Sequence, residues 1–202
     1  MVPVPEKPAG REAQRLETRQ RVFDAAIAEF RRWGMACADI GAIVTAAGVA
    51  RNTFYFQFPT KEHILAELDR GEQEELATKL TWVLASPPPL RDLLAEVVRL
   101  VTNIEQRLGV VLFRELLALH FSPNRPRDSE WTTYPVVVLI VEALLRARES
   151  GEIHSEADIK HNAFFFLLGL YAVLAAVPDS ASDRDAILTN FVTTVLRGLE
   201  PR

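Results

Sequence analysis

The chain has 202 residues, 49 % of them hydrophobic, with a single cysteine and a formal net charge of −4. That apolar content is enough for a sizeable core in one domain or two, and a lone Cys37 excludes an intramolecular disulfide framework and suits a reducing compartment. The opening stretch MVPVPEKPAGREAQR lacks the apolar h-region of a secretory signal. The longest apolar run, fifteen residues over 163–177, reaches only about 22 Å as a helix against a hydrocarbon core of roughly 30 Å. A buried body helix is expected there, no membrane partner, and a cytoplasmic protein.

In chain order, residues 1–12 are Pro-rich and charged, the composition of a mobile arm. A first helix is predicted over about 14–33, with Val22, Phe23, Ala26, Ile27 and Phe30 as its apolar stripe and Gly34 as its C-terminal stop. A second begins at Asp39, a good N-cap, and buries Ile40, Ile43, Val44 and Ala47. Gly48 supplies the positive φ of a tight turn, and a short third helix covers about 51–57 until Pro59 ends it. Thr60 caps a fourth helix that runs to about 85 and stops at Ser86-Pro87-Pro88-Pro89. Later helices are expected at about 89–106, 109–120, 132–149, 156–177 and 183–198, with a polar, Pro-rich surface loop at 121–131. Ser155…Asp158 and Ser182…Asp185 have the form of capping boxes at two of these starts. No β alternation and no repeat is visible. The expectation is an all-α protein of about nine helices, with a three-helix head carrying a helix-turn-helix and a helical body.

Two short helices joined at a glycine, the second with an exposed basic start, form the layout of a helix-turn-helix, whose second helix enters the DNA major groove. Arg51 and Asn52 lie on the first turn of that helix. Arg forks onto guanine O6 and N7 and Asn pairs with adenine N6 and N7; phosphate contact or plain solvation is the other reading of the same pair. Phe54 and Phe58, four apart, share a face and should pack inward. Phe56 then points elsewhere, either to a thymine methyl or into the head. Charge divides in the same direction. Residues 1–61 carry nine Lys/Arg against six Asp/Glu, and residues 62–202 carry fourteen against twenty-one. A mildly basic head on an acidic body suits local contact with phosphates.

Over about residues 19–68 the chain resembles the TetR family of bacterial transcriptional regulators. The pattern is Ala25-Ala26, Phe30, Gly34, Ile43, Ala46-Ala47-Gly48-Val49, Thr53, Tyr55, Phe58-Pro59 and Lys61-Glu62-His63-Ile64-Leu65. The resemblance implies a homodimer that binds a double-stranded DNA operator and is released by a small-molecule effector. It divides the chain into a DNA-binding region, 1–62, and an effector-binding and dimerisation region, 63–202. It also implies that Thr53 and Tyr55 place hydroxyls on phosphates, as Lys61 should beside a helix N-terminus. Two positions depart from the pattern. Ala50 replaces the usual Ser or Thr N-cap of the reading helix, and Gly41 replaces a basic or polar residue early in the second helix.

For the body, the resemblance assigns the middle helices to ligand and the last two to dimerisation. Trp82, Phe113, Leu117, His120, Trp131, Tyr134, Val138 and Phe165 are candidate cavity residues for an apolar or aromatic ligand; ordinary core packing is the alternative for any one of them, and carbonyl capping for His120. The run 163–177 is apolar all round and needs cover on both sides. Phe164, Leu167 and Tyr171 there, with Ile187, Leu188, Phe191, Val192, Val195, Leu196 and Leu199 on the last helix, could form an intersubunit four-helix bundle or the core of a monomer. An enzyme is not expected, and no cofactor. The four histidines form no HExxH, Cys37 has no C-x-x-C partner, and no Gly-rich phosphate loop or Gly-x-Ser-x-Gly is present. The rival from another class is a helical ligand-binding or interaction protein that no longer binds DNA.

Overall fold

A computed structural model describes residues 10–126, 134–178 and 181–201. Residues 1–9 of the expected arm, and Trp131, lie outside them. Among the described residues the chain is all helix: α1 (Gly10–Cys37), α2 (Ile40–Ala47), α3 (Arg51–Gln57), α4 (Lys61–Leu84), α5 (Leu90–Leu108), α6 (Val110–His120), α7 (Pro135–Glu149), α8 (Ile159–Ala176) and α9 (Arg184–Leu199).

Helices α1 to α3 form the head. Val22, Ala26 and Phe30 of α1 pack with Ile43 and Ala47 of α2 and with Phe54 and Phe58 around α3, all buried. The Asp39 carboxylate caps α2 by accepting from the amides of Gly41 at 2.9 Å and Ala42 at 3.2 Å. Gly48 ends that helix at φ 64, and Val49 fills the turn against the core. Ala50 makes no side-chain cap bond to α3, so the first amides of that helix have no side-chain acceptor from its N-cap.

Several helix limits differ from expectation. Helix α1 does not stop at Gly34; it breaks there, with φ 75 and ψ 158, and resumes as far as Cys37. Helix α8 starts at Ile159 because Asp158 itself is the N-cap, accepting from the His161 amide at 3.2 Å, while Ser155 is bonded to Glu156. The box predicted at 155–158 is therefore absent. The second fails as well, since α9 is capped at Asp183 without a side-chain bond. Thr60 precedes α4 in extended conformation, but its hydroxyl pairs with His63 Nδ1 at 3.0 Å and not with an amide.

The 24-residue α4 runs from the head into the body, where α5, α6 and α7 pack on it. Two ion pairs fasten α5 there. Arg107 forks onto Glu72 of α4 with N–O distances of 3.0 and 2.6 Å, and Arg184 of α9 binds Glu105 of α5, both ends buried. Removing one member of a buried pair leaves a stranded charge, which costs about 3–5 kcal/mol. Glu105→Ala is therefore expected to lower the unfolding free energy by about that amount, read by urea denaturation followed by circular dichroism. A loss below about 1 kcal/mol would mean the pair is solvated in practice.

Candidate nucleic-acid interface and body cavity

The seven residues of α3 divide cleanly. Phe54 and Gln57 are buried and Phe58 follows them into the core. Arg51, Asn52, Tyr55 and Phe56 are exposed, and Thr53 is half-buried beside them. Phe56 is 78 % exposed, which removes the reading that packs it within the head. Tyr55 sets its ring edge-on to Phe54 at 5.3 Å. The far end of α3 is clamped by Arg19 of α1, which donates to the Gln57 carbonyl and to the Glu67 carboxylate of α4 and lies 3.9 Å over the Phe58 ring. A short helix with a bare amide start, one cation, one amide and two hydroxyls facing outward is thus held by its buried aromatics at one end. Such a face presents donors for phosphate and for base edges.

Lys61 is a correction. Its ammonium reaches back to the end of α1 and donates to the carbonyls of Met35 at 2.8 Å and Ala38 at 2.7 Å, with Ala36 at 3.4 Å. An ammonium has three donors, and all three point at carbonyls, so the phosphate contact expected of it is not what the geometry shows. Its role is to close the turn that the α1 break opens. The body meets the same turn from the other side. Glu115 of α6 accepts from the Met35 amide at 3.1 Å, and Arg31 donates to the Leu108 carbonyl at 3.2 Å. Gly34 is required by its φ; a Cβ there would also lie 2.8 Å from Glu115 Oε1 and displace that carboxylate from the turn.

The body holds a cavity of about 560 Å³ between α4, the end of α6, the following loop, the start of α7 and α8. Its walls are mostly apolar, from Tyr134, Val137, Phe164, Leu167 and Leu168, and its polar end comprises Gln73, His120, Arg125 and Tyr171. Size and lining are those of a small-molecule site. A groove of about 650 Å³ between α5 and α9 is lined by Arg91, Asp92, Arg99, Arg184 and Asp185; so many charges make it the poorer fit to an apolar ligand.

Of the cavity residues expected from sequence, His120 and Tyr134 line it. Phe113 and Leu117 are buried core on α6 and do not. Trp82 is 78 % exposed near the end of α4 and Phe165 is 59 % exposed, so both lie outside it. Val138 is also exposed and outside. In their place come residues missed in the sequence, namely Gln73, Arg125 and, behind the wall, Asp69. The spacing of Asp69 and Gln73 puts both on one face of α4, a legible signal; nothing marked Arg125 within a polar loop.

Asp69 is almost fully buried. Its Oδ2 accepts from Arg125 at 3.0 Å, while Oδ1 is buried with no hydrogen-bond partner and stands 3.6 Å from His120 Nε2. Burial raises its carboxyl above the ordinary Asp range against the opposing pull of His120 and Arg125. Burial, with the Asp69 charge adding, pushes the Tyr171 phenol up to about 12, and its oxygen accepts from Gln73 at 3.2 Å. Tyr171 is thus a neutral hydroxyl over the physiological range.

The expected dimer residues split. Phe164, Leu167 and Tyr171 line the cavity, so α8 turns these inward and leaves Phe165 outside. Leu188 is buried within the chain. Phe191 stacks on Phe166 at 5.6 Å and presses on Gly169, where a Cβ would lie 2.8 Å from its ring. Val195 is half-buried against the core. Helix α8 is long and apolar enough by composition alone to cross a membrane, yet α6, α7 and α9 pack on it in the fold. Only 33 % of it is buried, so the full burial expected from its composition is not met.

Residues 22–68 match the family profile "Bacterial regulatory proteins, tetR family". Over 143 residues the chain is 31 % identical to the uncharacterized HTH-type transcriptional regulator TtgW of Pseudomonas putida, covering 71 % of this chain and 85 % of TtgW. The chain belongs to the TetR family. As a TetR-family member it is a DNA-binding transcriptional regulator and not an enzyme. A shorter match, 36 % identical over 52 residues, reaches HTH-type transcriptional regulator AcrR of Shigella flexneri and spans 26 % of this chain and 24 % of AcrR. The TetR fold extends through the body. Thermus thermophilus FadR, a TetR-family repressor solved with lauroyl-CoA, superposes with a TM-score of 0.65 at 24 % identity, over 89 % of this chain and 91 % of that one.

The geometry at Lys61 yields a prediction that separates structure from DNA contact. Lys61→Met removes charge-assisted bonds, each worth about 1.5–3 kcal/mol, and is expected to destabilise the protein measurably in thermal melts. The dependence of DNA affinity on salt should keep its slope, since no phosphate partner is lost. A slope shallower by about one would restore the phosphate role.

Proposed function

We propose that the chain is a homodimeric repressor that leaves its operator when a small, largely apolar molecule occupies the body cavity. The observation that carries the reading is a continuous mechanical path between the cavity and the reading helix. Helix α4 starts at Lys61, under the head, and carries Gln73 into the cavity wall. Helix α6 holds the Met35 amide through Glu115 and ends at His120 in the same wall. Any ligand that moves either helix moves the head. It shifts the balance only by binding the two body shapes unequally. The lauroyl-CoA bound by the Thermus FadR neighbour supports a body that takes apolar chains. The division at residues 62 and 63 and a cytoplasmic location belong to the same reading.

In this proposal Arg51 and Asn52 read bases, Thr53 and Tyr55 hold phosphates, and Phe56 meets a thymine methyl. The uncapped amides after Ala50 add donors at the helix start, where anions are favoured. Pairing uses the outer face of α8 around Phe165 with the half-exposed edge of α9. A gel-mobility shift with genomic fragments tests DNA binding as a whole. Arg51→Ala is expected to weaken specific binding by about 1–3 kcal/mol and to relax one operator position in a binding-site selection. An unaltered preference would remove Arg51 from base reading. Phe165→Glu should drive sedimentation mass toward one chain of 22.7 kDa while leaving the circular-dichroism spectrum intact. A retained dimer would move the interface elsewhere.

A further inference from the structure

The cavity's polar end has a charge pattern that narrows the ligand. His120 Nδ1 lies 3.0 Å from the Leu116 carbonyl oxygen, which can only accept, so Nδ1 carries a proton. Nε2 faces the buried Oδ1 of Asp69 at 3.6 Å. The Asp69 carboxylate is thus divided between His120 and Arg125, and burial raises its carboxyl above the ordinary Asp range. Arg125 pairs with Asp69 from behind the wall, and no carboxylate appears among the described residues that line the cavity itself. A guanidinium carries five N–H donors, of which Asp69 Oδ2 takes one at 3.0 Å. The guanidinium lies over the Tyr134 ring, its carbon 5.1 Å from the ring centroid. Gln73 and the neutral Tyr171 hydroxyl stand beside it.

We propose that this cavity takes an amphipathic carboxylate, with the anion on Arg125 and its hydrocarbon between Val137, Phe164, Leu167 and Leu168. The inference rests on the reading of the body as an effector site and names the effector's chemistry. A guanidinium with N–H donors to spare next to an apolar wall favours a ligand that brings the opposite charge into a poorly solvated place, where a charge-assisted hydrogen bond is strong. A neutral alcohol of the same length fills the same space and brings no charge to the spare N–H donors. A cationic amine meets Arg125 directly and is repelled.

The test is calorimetric titration of the full chain with three probes of one length, decanoate, decan-1-ol and decylammonium. Decanoate is expected to bind at least about ten-fold more tightly than decanol, the effect of one charged hydrogen bond, and decylammonium most weakly. Arg125→Gln should bring the decanoate-to-decanol ratio toward one. Asp69→Asn removes the buried counter-charge, keeps Arg125 and should raise that ratio; melting curves on both variants confirm folding. Decanol or decylammonium binding as tightly as decanoate, no binding by any of the three, or a ratio unmoved by Arg125→Gln overturns the proposal. A mobility shift on a selected operator is run in parallel. Decanoate that binds with the expected preference and leaves the DNA complex intact overturns the ligand-released reading and supports the anion site.

Discussion

The turn that ends α1 is the constraint on which the rest of the molecule depends. Gly34 breaks the helix and exposes both carbonyls and an amide within a few residues, and buried backbone groups of that kind need partners. The start of α4 supplies one partner and α6 of the body another. Lys61, at the start of α4, takes the carbonyls of Met35 and Ala38; Glu115, in the middle of α6, takes the Met35 amide. Three elements therefore share one local hydrogen-bond problem. Because its solution uses charged side chains on α4 and α6, the orientation of the reading head is tied to those two helices.

Much of the head was legible in sequence because its signals are local. Asp39 caps two residues onward, Gly48 turns in place, and Phe54 and Phe58 share a face by spacing alone. The limits of Lys61 as a reading are equally physical. A lysine beside a helix N-terminus advertises positive charge, but its acceptors lie 23 to 26 residues earlier in the chain, and nothing in local spacing announces them. The same holds for Gly34. Its position after the periodic stripe signals a left-handed residue correctly. Whether the chain then stops or resumes depends on Glu115, 80 residues away from Met35 in sequence.

The body was harder to read for a different reason. A helix with one apolar stripe has a phase, and the phase says which side faces the core. Helix α8 is apolar around most of its circumference, so it carries no phase, and spacing alone does not say which of its residues turn inward. Phe164, Leu167 and Tyr171 line the cavity, whereas Phe165 faces out. The neighbours settle the rotation, chiefly Phe191 seated on Gly169. The cavity's polar end is likewise assembled from α4, α6 and a loop, and Asp69 and Arg125 are 56 residues apart. Composition pointed to an apolar ligand site; only the fold brings the charges together.

The charged residues of α4 make one further point about mechanism. Glu67 answers Arg19 of α1, Asp69 answers Arg125 of the cavity loop, and Glu72 answers Arg107 of α5. Buried and half-buried pairs add little net stability compared with an apolar core, so their value here lies in direction. Each pins α4 to a different neighbour within about one and a half turns. A carboxylate arriving at Arg125 competes with Asp69 for the same guanidinium, and weakening that one pair alters the balance among the three. Coupling between a ligand and DNA in such systems amounts to about 1–3 kcal/mol, comparable with the change in a single charge-assisted bond. In the proposed mechanism no large rearrangement is needed: loosening one of three ties on α4 is enough to change where Lys61, and with it the reading head, comes to rest.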